Sequence, residues 1–213
     1  MTSPISIDVF SDFVCPWCLI GTTRLEQALT AMADEVSAEV TYHPFFLDPT
    51  VPPEGVSIPD MLRKKYGADP KQLWARAEAA ARESGLALDL SLQPLMYQTA
   101  AAHTLTRHAE ARGTQRALAA ALFRVYFLEA QNISDASVLA GIAEQHGFTR
   151  DEALQLVSAE PELELTREAA ISAAQGGIRG VPFFVFDGKL AISGAQSVSA
   201  LQAAIRQAIA QAS

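Results

Sequence analysis

The hydrophobic positions of this chain change period along its length. ISIDVF (5–10) alternates apolar and polar residues and is rich in branched side chains, the two-residue period of a strand. The spacing then lengthens. In CPWCLIGTTRLEQALTAMA, Leu19, Leu25, Leu29 and Met32 share one helical face. AEVTYHPFFL (38–47) predicts a second strand, with Pro44 near its end or at an edge. A helix between two strands makes a β-α-β opening and predicts a parallel pair.

From about residue 57 to about 176 the pattern is helical, with readable punctuation. Asp69 caps a helix that has Pro70 at its first position and stops at Gly85. A helix runs from about Gln98 to Arg112. In the next, Leu118, Leu122, Val125, Tyr126 and Phe127 take core-like spacing. DASVLAGIAEQHG stops at Gly147, Thr149 and Glu152 form a capping-box pattern, and Pro161 opens a helix that fades at Gly176 and Gly177. The strand period then returns. PFFVFDGKLAIS is two apolar runs around Asp187-Gly188, a hairpin signal because both residues tolerate positive φ. Ser197 caps a last helix, with Leu201, Ile205 and Ile209 on one face.

The sum is β-α-β, a helical block, then β-β-α. Neither flank completes a sheet alone, so residues 1–56 and 177–213 are expected to form one discontinuous α/β unit. Residues 57–176 are then an inserted helical domain. At 213 residues and 49% hydrophobic the chain can bury a sizeable core without disulfides. Its 16 basic and 24 acidic residues leave a charge of −8, which argues against nucleic acid and anionic membrane surfaces as partners. No apolar run reaches the roughly 18 residues of a membrane span. The N-terminal MTSPISIDVF lacks a basic region followed by an apolar one, so the expected location is the cytoplasm, where most thiols are kept reduced.

The chemistry concentrates in FVCPWCLIG, which holds both cysteines, Cys15 and Cys18. As a staple the pair is poor. Closing a four-residue loop is worth roughly 2 kcal/mol, against roughly 5 for a loop of 200. As a metal site it lacks partners. Among His43, His103, His108 and His146, the pair His103 and His108 would stand about 140° apart on one helix, so no metal is expected. A chance buried pair is possible for so small a hydrophobe. The local order favours a redox pair. Cys15 follows the strand and precedes Pro16, which suits a first helical position and makes Cys15 the cap. Its sulfur would then face the N–H groups of Trp17 and Cys18 at the positive helix end, which favours a thiolate. Cys18 sits one turn on, within disulfide reach. Cys15 is thus the expected nucleophile and Cys18 the resolving thiol.

Taken with SDFVCPWC, ALFRVYFLEAQNISD and GVPFFVFDGKLAISGAQ, the chain resembles the DsbA-type disulfide oxidoreductases of the thioredoxin fold, and within them the FrnE-like group. The resemblance implies a four-stranded core with a large all-helical insertion after the second strand. It also implies a cis Pro182 facing the cysteines, with the backbone of Val181 offered as an edge to an extended substrate. Pro16 and Trp17 would tune the helix end and the rim. Asp12 either relays a proton or caps the turn before Cys15. One departure is visible: where the group often has Asn-Thr and then Ala-His-Arg, this chain has Gln98, Thr99, Ala102, His103 and Thr104. Gln98 and His103 are therefore weaker cleft candidates, and His103 reads as a helix-surface or core-edge residue.

The implied activity is thiol–disulfide exchange with protein or small thiol substrates and an electron partner that the sequence does not name. No cofactor is needed beyond the cysteine pair, and glutathione is a possible substrate. Two rivals remain. One is a glutathione-dependent isomerase or transferase, similar to 2-hydroxychromene-2-carboxylate isomerase and kappa-class glutathione transferases, which use Ser in the place of Cys15. The other is a client-binding holdase with incidental cysteines.

Overall fold

The computed structural model describes residues 3–67 and 69–212. Residues 1, 2 and 213, the ends of the expected discontinuous unit, lie outside them. Strand β1 (Ser3–Ser11) alternates as its sequence predicts, burying Ile5, Ile7, Val9 and Ser11 and exposing Ser6. Its neighbour β2 (Val36–Pro44) runs parallel to it, from Ser3 opposite Val36 to Ser11 opposite Pro44. On the other side β5 (Phe183–Phe186) pairs antiparallel with β1, and β6 (Leu190–Ser193) pairs antiparallel with β5. The sheet order is β2-β1-β5-β6.

Helix α1 (Pro16–Ala31) makes the crossover between β1 and β2 and buries Leu19, Leu25 and Leu29. It packs on α9 (Val198–Ala212), whose Leu201 and Ile205 are also buried. The β5–β6 hairpin turns at Asp187 and Gly188, with φ of 49° and 64°. The Asp187 carboxylate accepts the Ser6 N–H at 2.8 Å, bolting the turn to β1.

Between β2 and β5 come α2 (Ile58–Tyr66), α3 (Pro70–Glu83), α4 (Ala100–Glu110), α5 (Gln115–Leu128), α6 (Ala136–Glu144), α7 (Arg150–Ser158) and α8 (Glu160–Gln175). Asp69 and Thr149 cap α3 and α7, accepting the N–H groups of Lys71 at 3.0 Å and Glu152 at 3.2 Å. Gly85 follows α3 with φ of 78°. The expected apolar face of α5 is buried in full.

Two details differ from the sequence reading. The segment is not wholly helical. β3 (Val56–Ser57) pairs antiparallel with β4 (Leu95–Met96), because the chain on either side of α2 and α3 returns to the same place. Strand β2 also ends at Pro44 rather than near residue 47. Its partner β1 leaves the ladder at Ser11, so nothing beyond remains to pair with.

Helices α4, α5 and α8 pack against β2. Gln115, the first residue of α5, accepts the Tyr42 N–H at 2.8 Å and donates to the Tyr42 carbonyl at 3.2 Å. Arg116 beside it forks onto the Glu26 carboxylate of α1, one bond measuring 2.6 Å. Arg24 of α1 reaches the Ser84 hydroxyl at 2.8 Å, the Ala195 carbonyl at 2.9 Å and the Ala80 carbonyl at 3.2 Å. These contacts hold the helices against the end of β1 from which the cysteines emerge.

Candidate active site

The site begins where β1 stops. Asp12 turns the chain, its carbonyl accepting the Cys15 N–H at 3.0 Å. Cys15 is the N-cap of α1, with φ −94° and ψ 113°, and Pro16 follows inside the first turn. No side-chain oxygen caps this helix. Of the two amides expected to face the Cys15 sulfur, that of Cys18 is not free, because it donates to the Cys15 carbonyl at 3.0 Å. The Trp17 N–H remains for the helix-end charge.

The two thiols have different surroundings. Cys18 is fully buried, and burial pushes its thiol well above the usual range. A hydrogen bond shared with Cys15 and the charge of Cys15 act in the same direction, while a bond from the Asp12 main chain opposes them. The Cys15 thiol donates to the Val181 carbonyl at 3.8 Å, a long sulfur contact. The Val181–Pro182 peptide bond is cis. The Pro182 carbonyl accepts the Gly194 N–H at 2.8 Å, which ties this loop to the end of β6. Among the described residues, no acceptor meets the Val181 N–H.

Cys15 opens on a cavity of about 730 Å³. Pro16, Trp17, Gly180 and Val181 line it on the sheet side. Helices α2 and α3 supply the far wall through Met61, Leu62, Leu73 and Trp74, while Met96 and Phe127 also line it. Trp17 stands at the rim, 38% exposed.

Asp12 and His103 are both buried, behind the cysteines. Asp12 Oδ1 and His103 Nε2 face each other at 3.8 Å, beyond hydrogen-bond length, and neither has a partner. The other carboxylate oxygen of Asp12 accepts the Leu47 N–H at 2.8 Å. Asp12 therefore caps the loop after β2 with its side chain and its own turn with its carbonyl. His103 is neither on the surface nor at a core edge. Its ring lies 4.4 Å from that of Phe13 and 5.8 Å from that of Phe46. Gln98 is not brought to the thiols. It is exposed and donates to the Val51 carbonyl at 2.5 Å. Among the described residues, no group of three or more His, Cys, Asp or Glu side chains is placed to hold a metal ion. No described helix is long and apolar enough to cross a membrane.

A β-α-β unit with its cysteines at the strand–helix junction, closed by an antiparallel hairpin and a last helix, is the thioredoxin arrangement. The family model of the DSBA-like thioredoxin domain matches residues 6–206. The chain belongs to the DsbA-like thioredoxin family. Among solved structures, it is similar to a probable DsbA oxidoreductase, SCO1869 of Streptomyces coelicolor. The two are 32% identical, with a TM-score of 0.86 over 97% of this chain and 91% of the other. A 2-hydroxychromene-2-carboxylate isomerase shares the fold at 16% identity and a TM-score of 0.75, covering 97% of both chains. So does the cytosolic disulfide reductase DsbM of Pseudomonas aeruginosa, solved with GSH, at 19% identity and a TM-score of 0.63 over 97% and 96%.

In this DsbA-like chain, sequence reasoning missed the far wall of the cavity. Ile58, Met61, Leu62 and Lys65 of α2 had no signal pointing to Cys15, because they lie more than forty residues from it along the chain. Trp74 of α3 faces the same cavity. The one available signal was the amphipathic spacing of α2 itself.

Proposed function

We propose that the chain is a thiol–disulfide oxidoreductase in which Cys15 is the nucleophile and Cys18 the resolving thiol. The observation that carries this reading is the asymmetry of the pair. Cys15 caps α1 and opens on a cavity, whereas Cys18 is sealed beneath it and held as a neutral thiol by burial. The Cys15 thiolate attacks a substrate disulfide, one sulfur of which leaves as a thiolate. Cys18 then loses its proton and attacks the Cys15 sulfur, releasing the second substrate thiol. The enzyme pair ends oxidised and the substrate reduced, and the reverse order oxidises a dithiol.

Val181 and Pro182 hold the substrate beside Cys15. The unpaired Val181 N–H lies next to a carbonyl that already contacts the nucleophile, the layout an extended segment can use. Pro16 and Trp17 form the rim. Asp12 takes up the Cys18 proton, with His103 behind it. Asp12 bears directly on the Cys18 thiol, and Asp12 Oδ1 and His103 Nε2 are buried atoms without partners. The sheet unit, 1–56 and 177–213, supplies the chemistry, and the insertion, 57–176, walls the cavity. No cofactor beyond the cysteine pair is invoked. Thiol/disulfide pairs of proteins or small molecules, glutathione among them, are the substrate class this chemistry admits, and neither nucleic acid nor membrane is a partner. The likeness to a cytosolic reductase supports a cytoplasmic setting and flow toward substrate reduction.

The isomerase reading is weaker, since two thiols stand where that group relies on a Ser. The test is exchange with hydroxyethyl disulfide by wild type, Cys15→Ser and Cys18→Ser. Cys15→Ser should abolish turnover, and Cys18→Ser should accumulate a mixed disulfide on Cys15, seen by mass spectrometry. Full turnover by Cys15→Ser would defeat the proposal.

A further inference from the structure

Helix α2 buries none of its residues fully, yet it carries an apolar stripe. Ile58, Met61 and Leu62 fall at i, i+3 and i+4 of one face and Lys65 at i+7, and all four line the cavity before Cys15. Helix α3 repeats the arrangement from the side, with Leu73, Trp74 and Ala77 on the cavity and Arg76 beside them. Two helices thus turn an apolar stripe with an adjoining cation toward the nucleophile. Ile58, Met61 and Trp74 of that stripe also pack against the core and Ala77 belongs to it, so the core holds the stripe in place while its other side faces the cavity.

The polar groups agree with an apolar occupant that carries a negative end. The side-chain amide of Gln93 is already committed, donating to the Tyr126 carbonyl at 3.2 Å and the Gln131 carbonyl at 3.3 Å. On a chain of charge −8, Lys65 and Arg76 both line the cavity, against one carboxylate, Asp48. Asp48 already accepts the Thr50 N–H at 2.8 Å and the Thr50 hydroxyl at 2.6 Å. Arg76 has no carboxylate partner among the described residues. Tyr66, 57% exposed, adds an aromatic surface to the lining.

Access sets the size of the substrate. Cys15 is only 4% exposed, so a disulfide must be carried down to it. A cavity of about 730 Å³ falls in the range of roughly 300–1,000 Å³ that encloses small ligands.

We propose that the cavity selects small disulfides with an aromatic or branched apolar body and an anionic group, over glutathione disulfide and protein disulfides. This deepens the redox reading and rests on Cys15 as nucleophile. For a substrate R–S–S–R, Cys15 takes one sulfur and R–S⁻ departs. Cys18 gives up its proton, bonds to Cys15 and expels the second R–S⁻. The two leaving thiolates are protonated, one by the Cys18 proton, and a low-molecular-weight thiol, itself oxidised to its disulfide, returns the enzyme pair to the dithiol.

The test uses the full-length, pre-reduced chain in single turnover. The substrates are dithiobis(nitrobenzoate), which is aromatic and anionic, bis(nitrophenyl) disulfide, hydroxyethyl disulfide, glutathione disulfide and insulin. Each rate is divided by that of free mercaptoethanol with the same disulfide, which removes leaving-group reactivity. The normalised rate for dithiobis(nitrobenzoate) should exceed those for hydroxyethyl disulfide, glutathione disulfide and insulin by about tenfold. The double variant Lys65→Glu/Arg76→Glu should lower the ratio of dithiobis(nitrobenzoate) to bis(nitrophenyl) disulfide by about tenfold. Trp74→Ala should lower both aromatic rates relative to hydroxyethyl disulfide. A preference for glutathione disulfide or insulin, or a ratio unmoved by charge reversal, overturns the proposal. If the normalised rates are level but vanish in Cys15→Ser, the substrate assignment falls and the redox reading stands. If Cys15→Ser changes none of them, both fall.

Discussion

The ring of Pro182 rests on the backbone of Gly21: a methyl group at residue 21 would stand 2.7 Å from Pro182 Cγ and 3.3 Å from the Phe184 ring. Gly21 is helical and needs no special φ, so it is the closeness of the Val181–Pro182 loop that demands a bare Cα here. Gly21→Ala is expected to push Pro182 away from α1 and to lengthen the contact between Cys15 and the Val181 carbonyl. Overpacking of this kind costs about 1–3 kcal/mol, readable by urea unfolding, and exchange activity should fall with it. A variant as stable and active as wild type would show that the loop is free to shift.

Asp12 offers a test that separates structure from proton transfer. Asp12→Asn retains a carbonyl oxygen for the Leu47 N–H and should unfold within about 1 kcal/mol of wild type. It cannot accept the Cys18 proton, so resolution of the mixed disulfide should slow by about 10²-fold. His103→Gln should slow the same step by less. If both variants resolve the intermediate at the wild-type rate, the relay is refuted.

The buried Cys18 gives the reduced protein a pH-dependent stability of definite sign. Its folded-state pKa is raised, chiefly by burial, so the unfolded chain gives up this proton first. The contribution is intact below the ordinary thiol range near pH 8.5 and is lost as pH rises above it, by up to about 1.4 kcal/mol per pH unit. Cys18→Ala should flatten that alkaline fall, measured by urea unfolding between neutral and alkaline pH under reducing conditions. An equal alkaline fall in both proteins would contradict the assignment.

Gln115 acts as a one-residue partner to β2, matching both the N–H and the carbonyl of Tyr42. Gln115→Leu leaves two buried main-chain groups unpaired and should cost about 2–4 kcal/mol. Gln115→Ser, too short to reach either, should behave alike. A loss below about 1 kcal/mol would mean that water replaces the amide.

Much of this molecule was readable in advance because it is local. Alternation over a few residues marks β1, Asp187-Gly188 marks the hairpin, and Asp69-Pro70 and Thr149 mark helix starts, since each depends on neighbours in sequence. The place of Cys15 at a helix end was legible for the same reason. The cis state of the Val181–Pro182 bond was not a local matter and came only from resemblance. The β3–β4 pairing was invisible because two-residue strands carry no period, and because its partners stand about forty residues apart. His103 looked like a surface or edge residue, since helical spacing says which residues share a face but not what that face meets.

By itself, then, the sequence determined the order of elements, the pair of sulfurs and which of them begins a helix, because propensity, capping and hydrophobic period act over a single turn. Only tertiary structure decided what surrounds that pair: Pro182 against Gly21, His103 behind Asp12, and the stripes of α2 and α3 across the cavity. Those are contacts between segments far apart along the chain, and their partners are chosen by how the helices pack around the sheet.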